Sequence, residues 1–222
     1  MTALAPPLKP RKSPVQARSA ATIDALHTAV IQVLIREGLS RCTTTRIAER
    51  AGMSVGSVYQ YYPNRDALLA AVLERHLSGI AEAMEQVCLD CRGWPVARMA
   101  EALVEGYLAA KLRDAGESRA LYAVAGERGG GQLAARVYQR LEAAVAALLV
   151  TAPDASFEDP AMTASIALNA LVGPVRRILD GEATPAFEAR LQGQLVLLLT
   201  AYLRSEPGRD PSAKALSLRS EK

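Results

Sequence analysis

The sequence lacks long apolar runs, a signal segment and a disulfide framework. Its longest apolar run, LVLLLTAYL at 195–203, is shorter than the roughly 18 residues that a membrane-spanning helix needs. Prolines interrupt the first 14 residues, which therefore do not resemble a secretory signal. Three cysteines, an odd number, favour a reducing compartment. We therefore expect a cytoplasmic protein that has no membrane association.

The sequence also lacks a convincing set of catalytic or metal-binding residues. Cys88 and Cys91 form a C-x-x-C pair, but a structural zinc site needs four ligands and there is no second pair. Only two histidines are present, and no acid–base set converges in the sequence. We expect no metal, no cofactor and no enzymatic activity. The pair leaves open a response to oxidation of Cys88 and Cys91, and a helical enzyme or carrier is a less favoured alternative.

Ala and Leu dominate the 222 residues, and apolar positions recur at steps of three and four. Gly, Pro and Asp separate these segments, and no strand-like alternation stands out. The pattern predicts an all-α protein of about nine helices, at about 19–37, 44–51, 55–62, 64–88, 96–113, 118–127, 132–150, 160–180 and 186–204. Residues 1–17 are expected to form a disordered basic arm, and residues 205–222 a flexible tail.

Positive charge is concentrated in the first third of the chain. Residues 1–66 hold nine Lys and Arg against four Asp and Glu, whereas the rest holds seventeen against nineteen. This asymmetry indicates a polyanionic partner for the N-terminal region, although a solvated basic face is the alternative.

Two short predicted helices, 44–51 and 55–62, have the proportions of a helix-turn-helix. In the second of them, Val55, Val58 and Tyr62 share one face and are expected to pack inward. The opposite face is small and hydrogen-bonding rather than charged, and consists of Gly56, Ser57, Tyr59 and Gln60. Small residues allow close approach to a base edge, and the amide of Gln60 matches adenine in the major groove.

The residues around this pair of helices suit phosphate oxygens. Thr44 and Thr45 open the first helix, where backbone N–H groups favour an anion, and Arg46 follows them. The hydroxyls of Ser54 and Tyr59 are suited to the same task. Arg65 opens the next helix and is expected to hold a phosphate on the far side.

The segment TTTRIAERAGMSVGSVYQYYPNRDALLAAVLE, residues 43–74, resembles the DNA-binding domain of the TetR/AcrR family of transcriptional regulators. The preceding RKSPVQARSAATIDALHTAVIQVLIREG, residues 11–38, resembles the basic arm and first helix of many members. The resemblance implies a homodimer of all-α subunits, each with an N-terminal three-helix DNA reader and a larger C-terminal ligand-binding and dimerisation domain. Most such proteins repress transcription until a small molecule releases them from DNA. An activator, or a regulator that responds to oxidation of Cys88 and Cys91, is the alternative.

Residues expected to bind DNA, from the local chemistry and from positions matched to the family, are Arg11, Lys12, Thr44, Thr45, Arg46, Ser54, Val55, Gly56, Ser57, Tyr59, Gln60, Tyr61 and Arg65. Two departures from the family pattern are Tyr62, where phenylalanine is common, and Arg65, where lysine is frequent. The Tyr62 hydroxyl needs a partner or a route to solvent. The expected partners are double-stranded DNA with an inverted-repeat operator, an unknown small-molecule inducer and a second copy of the chain.

The sequence divides into four expected segments, namely the arm 1–17, the helix-turn-helix domain 18–65, the ligand-binding and dimerisation domain 66–204 and the tail 205–222. Expected ligand-binding residues are Met84, Met99, Leu103, Tyr107, Tyr122 and Asn169, although Met84, Met99 and Leu103 also suit a plain core. Expected dimer-interface residues on the last two helices are Met162, Ile166, Leu191, Leu195, Leu198 and Tyr202, because these helices are apolar around most of their circumference.

Overall fold

The computed structural model describes residues 14–126 and 130–205, and this part of the chain contains nine α-helices and no strand. The helices are Pro14–Glu37 (α1), Thr44–Ala51 (α2), Val55–Tyr61 (α3), Arg65–Asp90 (α4), Val96–Leu112 (α5), Ala115–Ala125 (α6), Gly130–Leu149 (α7), Pro160–Leu179 (α8) and Pro185–Ser205 (α9). A short 3-10 helix, Leu39–Arg41, precedes α2. The all-α prediction is confirmed. Arg11, Lys12 and the tail beyond Ser205 lie outside the described residues.

The first helix begins earlier than the sequence pattern predicts. α1 starts at Pro14, inside the segment 1–17 for which disorder is predicted. Proline suits the first position of a helix because its fixed φ is already helical and its missing N–H would have no partner there. One proline of this segment, Pro14, therefore begins a helix.

The chain divides into two compact units, with the boundary after Val72. The boundary lies within α4, so this helix begins in the first unit and ends in the second. The predicted boundary after residue 65 follows the sequence break at Pro63 instead. The first compact unit extends beyond that point, because Leu68, Leu69 and Val72, in the first turns of α4, are buried side chains of it.

The first unit is built from α1, α2, α3 and the start of α4. Apolar side chains from each of these helices are buried, among them Leu26, Val30 and Val33 of α1, Ile47 and Ala48 of α2, and Val58 of α3. The three- and four-residue spacing of these positions turns one face of each short helix inward. Helices this short depend on such packing for their stability.

The second unit consists of the rest of α4 together with α5–α9. Its core includes Met84 of α4, Met99 and Leu103 of α5, and Leu191 and Leu195 of α9. A Cβ on Gly106 would lie 2.7 Å from Cγ2 of Val87, so the glycine allows α5 to lie close to α4. Among the described helices, none is both long and apolar enough to cross a membrane.

Candidate functional site

The turn between α2 and α3 is fixed by local capping. Thr43 precedes α2 and its hydroxyl accepts a hydrogen bond from the Arg46 N–H at 3.3 Å. Gly52 ends α2 in the left-handed region, with φ of 67°, a conformation that costs glycine little. Ser54 then caps α3 by accepting from the Ser57 N–H at 3.0 Å. The helix-turn-helix geometry therefore follows from three short-range signals in the sequence.

The two faces of α3 differ as the sequence pattern predicts. Val58 is buried, and Val55 and Tyr62 are half-buried. On the other face, Gly56 and Gln60 are exposed and the Tyr59 side chain is 52% exposed. Ser57 and Tyr61 lie between the two faces and are half-buried. The outward surface of α3 therefore carries glycine, tyrosine and glutamine and no charged side chain.

Tyr62 stands where the family commonly has phenylalanine, and its hydroxyl forms a hydrogen bond with another residue of the first unit. Its oxygen lies 2.8 Å from Nε2 of His27 in α1, and the two rings are 6.0 Å apart. Tyr62 therefore links the end of α3 to α1 within the first unit. A phenylalanine at this position could not make this bond.

The two serines at the start of α3 are bonded to each other. The hydroxyl oxygens of Ser54 and Ser57 are 2.8 Å apart. Because a hydroxyl can donate one hydrogen and accept two, each retains capacity for a further partner. Both side chains are at the surface or close to it.

The N-terminus of α2 lies at the surface. Thr45 and Arg46 are exposed, and Thr44 is half-buried. The Arg46 guanidinium forms an ion pair with Glu37, with Nε 3.7 Å from the carboxylate oxygen, yet 55% of the side chain stays exposed. Such an exposed ion pair is weak and can exchange for a phosphate.

Arg65, for which a phosphate contact is predicted, makes hydrogen bonds within the first unit. Its Nε donates to the carbonyl of Cys42 at 2.6 Å, and one terminal nitrogen donates to the carbonyl of Leu39 at 2.8 Å. The other terminal nitrogen faces Asp66 at 3.4 Å. The guanidinium thus ties the start of α4 to the short 3-10 helix before α2. This structural role was not predicted, and it occupies much of the donor capacity that a phosphate would need.

A cavity of about 380 Å³ lies in the second unit. Its lining combines aliphatic and tyrosine side chains with a lysine and an asparagine, namely Leu77, Ile80, Tyr107, Lys111, Tyr122, Ala134, Ala135, Val137, Tyr138, Leu141, Asn169 and Val172. Tyr107, Tyr122 and Asn169 are members of the predicted ligand set. The other three aliphatic and sulfur-containing members of the set, Met84, Met99 and Leu103, are fully buried in the core and do not line this cavity, so a ligand contact for them stays a prediction.

Lys111 is the most unusual group in the cavity wall. Its side chain is buried, and Nζ lies 4.7 Å from the centre of the Tyr122 ring. Burial lowers the pKa of Lys111 from 10.5 to about 8. Arg176, at the end of α8, also lies over the Tyr122 ring, at 4.7 Å.

Lys111 and Tyr138 line the cavity but are absent from the ligand-binding residues predicted from the sequence. The available signal for Lys111 was its spacing, because it follows Met99, Leu103 and Tyr107 at steps of four along α5. A lysine that continues an apolar stripe is either a buried cation or the polar edge of the stripe, and the sequence does not distinguish the two. Tyr138 similarly precedes Leu141 and Val145 on the inner side of α7.

The two cysteines of the C-x-x-C pair are buried, and neither forms a disulfide. Burial raises the pKa of Cys88 to about 12 and also raises that of Cys91. Because the thiolate is the reactive form, both thiols are poor redox sensors. The redox alternative is therefore not supported. Within the described ranges, no group of three or more potential ligands is placed to hold a metal ion.

Large apolar side chains are exposed along α8 and α9. Met162 is 58% exposed, Ile166 45%, Leu197 64% and Leu198 50%. Tyr202 is half-buried. The interface prediction is wrong for Leu191 and Leu195, because with Leu199 and Leu203 they form the inner stripe of α9. A spacing of four places this stripe on one face, which α9 turns towards its own core.

Two family descriptions match separate parts of the chain. Residues 26–72 match "Bacterial regulatory proteins, tetR family". Residues 95–203 match "Tetracyclin repressor-like, C-terminal domain". The first match contains α2 and α3, and the second contains Lys111, Tyr122 and Tyr138 of the cavity wall.

Similar proteins include the HTH-type transcriptional regulator YvkB of Bacillus subtilis, 33% identical over 58 residues. That alignment covers 26% of this chain and only 31% of YvkB. A solved protein from Mesorhizobium loti, classed with TetR-family transcriptional regulators, is 20% identical with a TM-score of 0.71, covering 84% of this chain and 96% of its own. The regulator FadR of Bacillus subtilis, solved with stearoyl-CoA, is 12% identical with a TM-score of 0.63, covering 81% of this chain and 98% of its own.

Proposed function

This chain belongs to the TetR family of transcriptional regulators, and we propose that it is a repressor that binds an inverted-repeat operator as a homodimer. A small molecule in the cavity of the second unit releases it from DNA. The observation that carries the proposal is the outward face of α3, where an exposed glycine, tyrosine and glutamine take the place of the charged residues usual on a solvated helix.

Gly56 is the residue of this face whose presence in a helix most needs an explanation. Glycine is less favourable than alanine in a helix, by about 1 kcal/mol in a helix interior, so a glycine in α3 needs a reason. The described residues supply none, because an added Cβ would meet only the Ser54 hydroxyl oxygen among them, at an ordinary 3.8 Å. Close approach of DNA to α3 supplies the reason, since a bare backbone can approach a base edge or phosphate more closely.

Gln60 and the start of α2 complete the proposed contacts. Gln60 offers a donor and an acceptor that pair with the N6 and N7 groups of adenine. Thr44, Thr45 and Arg46 face phosphate oxygens from the N-terminus of α2, where the helix dipole favours an anion. The basic arm residues Arg11 and Lys12 add phosphate contacts.

The test is selection of bound sequences from random DNA by the full-length protein. We expect an inverted repeat with half-sites about one helical turn apart or slightly more. Gly56→Ala should then weaken binding to the selected site by roughly tenfold or more while leaving thermal stability equal or higher. The matched control is Gly79→Ala, a mid-helix position of α4 at which an added Cβ meets nothing within 4 Å.

Three results would count against the DNA-reading proposal. The first is that no DNA sequence is enriched even at low salt. The second is that Gly56→Ala binds the selected DNA as tightly as the wild type does. The third is that Gly79→Ala weakens DNA binding as much as Gly56→Ala does. The third result would mean that replacing a helical glycine elsewhere weakens binding as well, so the effect would not be specific to the surface of α3.

The proposed dimer uses the exposed apolar side chains of α8 and α9. On the surface of a monomer, large apolar side chains are seldom as exposed as Met162, Ile166 and Leu198. A two-fold dimer requires a patch that is complementary to itself, and an apolar pair of helices meets that need. An inverted-repeat operator in turn requires two copies related by the same symmetry.

The proposed route from ligand to DNA is α4. This helix is continuous from Arg65 to Asp90, and its residues Leu77 and Ile80 line the cavity. A ligand that displaces this part of the helix also displaces the first turns of α4, which belong to the first unit. Release of operator DNA on addition of a cavity ligand, measured by fluorescence anisotropy, tests this step.

A further inference from the structure

The polar groups of the cavity wall are all neutral or positive. Besides its aliphatic residues, the lining contains Tyr107, Lys111, Tyr122, Tyr138 and Asn169, and none of the described residues that line it is acidic. A cavity of this kind, mostly apolar with a few polar groups, suits a small organic ligand. The sign of its one charged group determines which ligands it favours.

Lys111 carries a buried positive charge that has no carboxylate partner among the described residues. The ammonium faces the ring of Tyr122, which offers only the weak attraction of an aromatic face. The nearby carboxylate of Glu117 is instead bonded to His76, 3.0 Å from Nδ1. Buried charges in proteins are normally paired, because an unpaired one loses its hydration without compensation.

The hydroxyl of Tyr138 is a second unsatisfied group in the same wall. Its oxygen is buried and has no hydrogen-bond partner in the part of the chain that the structure describes. Burial raises its pKa to about 12, so at neutral pH the phenol is a hydrogen-bond donor. Asn169, by contrast, already donates to the carbonyl of Ser165 at 2.8 Å. The wall therefore offers a cation without a carboxylate partner among the described residues, and one unsatisfied hydroxyl.

We propose that the cavity binds an apolar carboxylic acid, whose carboxylate pairs with Lys111 and whose apolar body lies against the aliphatic and tyrosine side chains. A carboxylate accepts hydrogen bonds only, which matches the ammonium and the Tyr138 hydroxyl. The proposal rests on the proposed function and narrows its ligand class. Cationic compounds would meet Lys111, and none of the described lining residues is acidic to offset the repulsion.

The test is calorimetric binding to the full-length protein without DNA, at pH 7. The probes are decanoate, decanol and decyltrimethylammonium, which share an apolar chain and differ in head-group charge, with 1-naphthoate and 1-naphthalenemethanol as an aromatic pair. At least one acid should bind roughly 10- to 100-fold more tightly than its alcohol, as expected for a buried charge-assisted hydrogen bond. The trimethylammonium compound should bind more weakly than either.

Three variants identify the group responsible. Lys111→Met should reduce acid binding to the level of the alcohol and leave alcohol binding equal or tighter, while Lys111→Arg should retain a preference for the acid. Arg113→Met is the matched control, because Arg113 is exposed and does not line the cavity. It removes the same charge two residues away and should leave both affinities unchanged.

The proposal is overturned if neither acid binds at millimolar concentration, if alcohol or cation binds as tightly as acid, or if Lys111→Met keeps the preference. Its failure is separable from failure of the proposed function. Operator selection uses the unliganded protein and does not depend on the cavity, and acid binding is measured without DNA.

Discussion

Replacing Lys111 by methionine is expected to stabilise the unliganded protein. Burial lowers the pKa of Lys111 from 10.5 to about 8, and each pKa unit corresponds to about 1.4 kcal/mol. The charged ammonium therefore destabilises the folded protein by about 3 kcal/mol at pH 7, where it is protonated in both states. Methionine fills a similar volume without charge but gives up the contact with Tyr122. That contact is worth about 1 kcal/mol, so the net gain is about 2 kcal/mol, or roughly 4–8 °C in Tm.

The pH dependence has a definite sign. The folded pKa lies below the unfolded one, so the penalty is fully present below pH 8 and declines as the pH rises towards 10.5. At pH 9.5 about 1 kcal/mol of the penalty remains, and the advantage of Lys111→Met should shrink accordingly. Other ionisable groups near Lys111 are those of His76, Tyr107, Arg113, Glu117, Tyr122, Tyr138 and Arg176. Burial lowers the pKa of His76 and raises that of each tyrosine, so these groups stay neutral across this window.

The assay is chemical denaturation followed by tryptophan fluorescence at pH 7 and pH 9.5. Trp94 is the only tryptophan, and it lies between α4 and α5 in the same unit as Lys111. Arg113→Met serves as the control and should change stability little at either pH. The reasoning is refuted if Lys111→Met is less stable than the wild type at pH 7, or if its advantage does not decline at pH 9.5.

Three further predictions concern other parts of the chain. Arg65→Lys should lose the bonds to the carbonyls of Leu39 and Cys42 and lower the free energy of unfolding by about 1–2 kcal/mol. An unchanged melting curve together with weaker DNA binding would instead support a phosphate contact. Tyr62→Phe should cost about 1 kcal/mol through its bond to His27, and an unchanged unfolding midpoint would contradict this. If the protein is the proposed dimer, Ile166→Glu with Leu198→Glu should convert it to a monomer in sedimentation, whereas Leu191→Glu should unfold the protein, because that residue is buried.

Short-range signals predicted most of the first unit. The cap at Ser54, the left-handed glycine at Gly52 and the break at Pro63 each act within a few residues, so helix bounds near them agree with the sequence pattern. The faces of α3 could be separated for the same reason, since a step of three or four fixes which side chains share a side. The bonds of Arg65 and Tyr62 could not be predicted, because their partners lie 23 or more residues away.

The cavity was harder to predict than the outward face of α3. One buried stripe of α5 contains Leu103, Tyr107 and Lys111, yet Tyr107 and Lys111 line the cavity and Leu103 does not. The spacing of a stripe predicts which residues face inward but not which groups they contact there. That depends on how α5 packs against its neighbours in the second unit, which no local pattern contains.

The sequence by itself determined the helical fold, the helix-turn-helix and the family, because caps, breaks and apolar spacing act over a few residues. Only the tertiary structure decided which apolar stripe of α9 is buried, where Arg65 donates its hydrogen bonds and that Lys111 is a buried cation in a cavity wall. These properties depend on side chains that are distant in sequence and are brought together by packing. The same packing leaves Lys111 without a carboxylate partner among the described residues, which is the basis for proposing an acidic ligand.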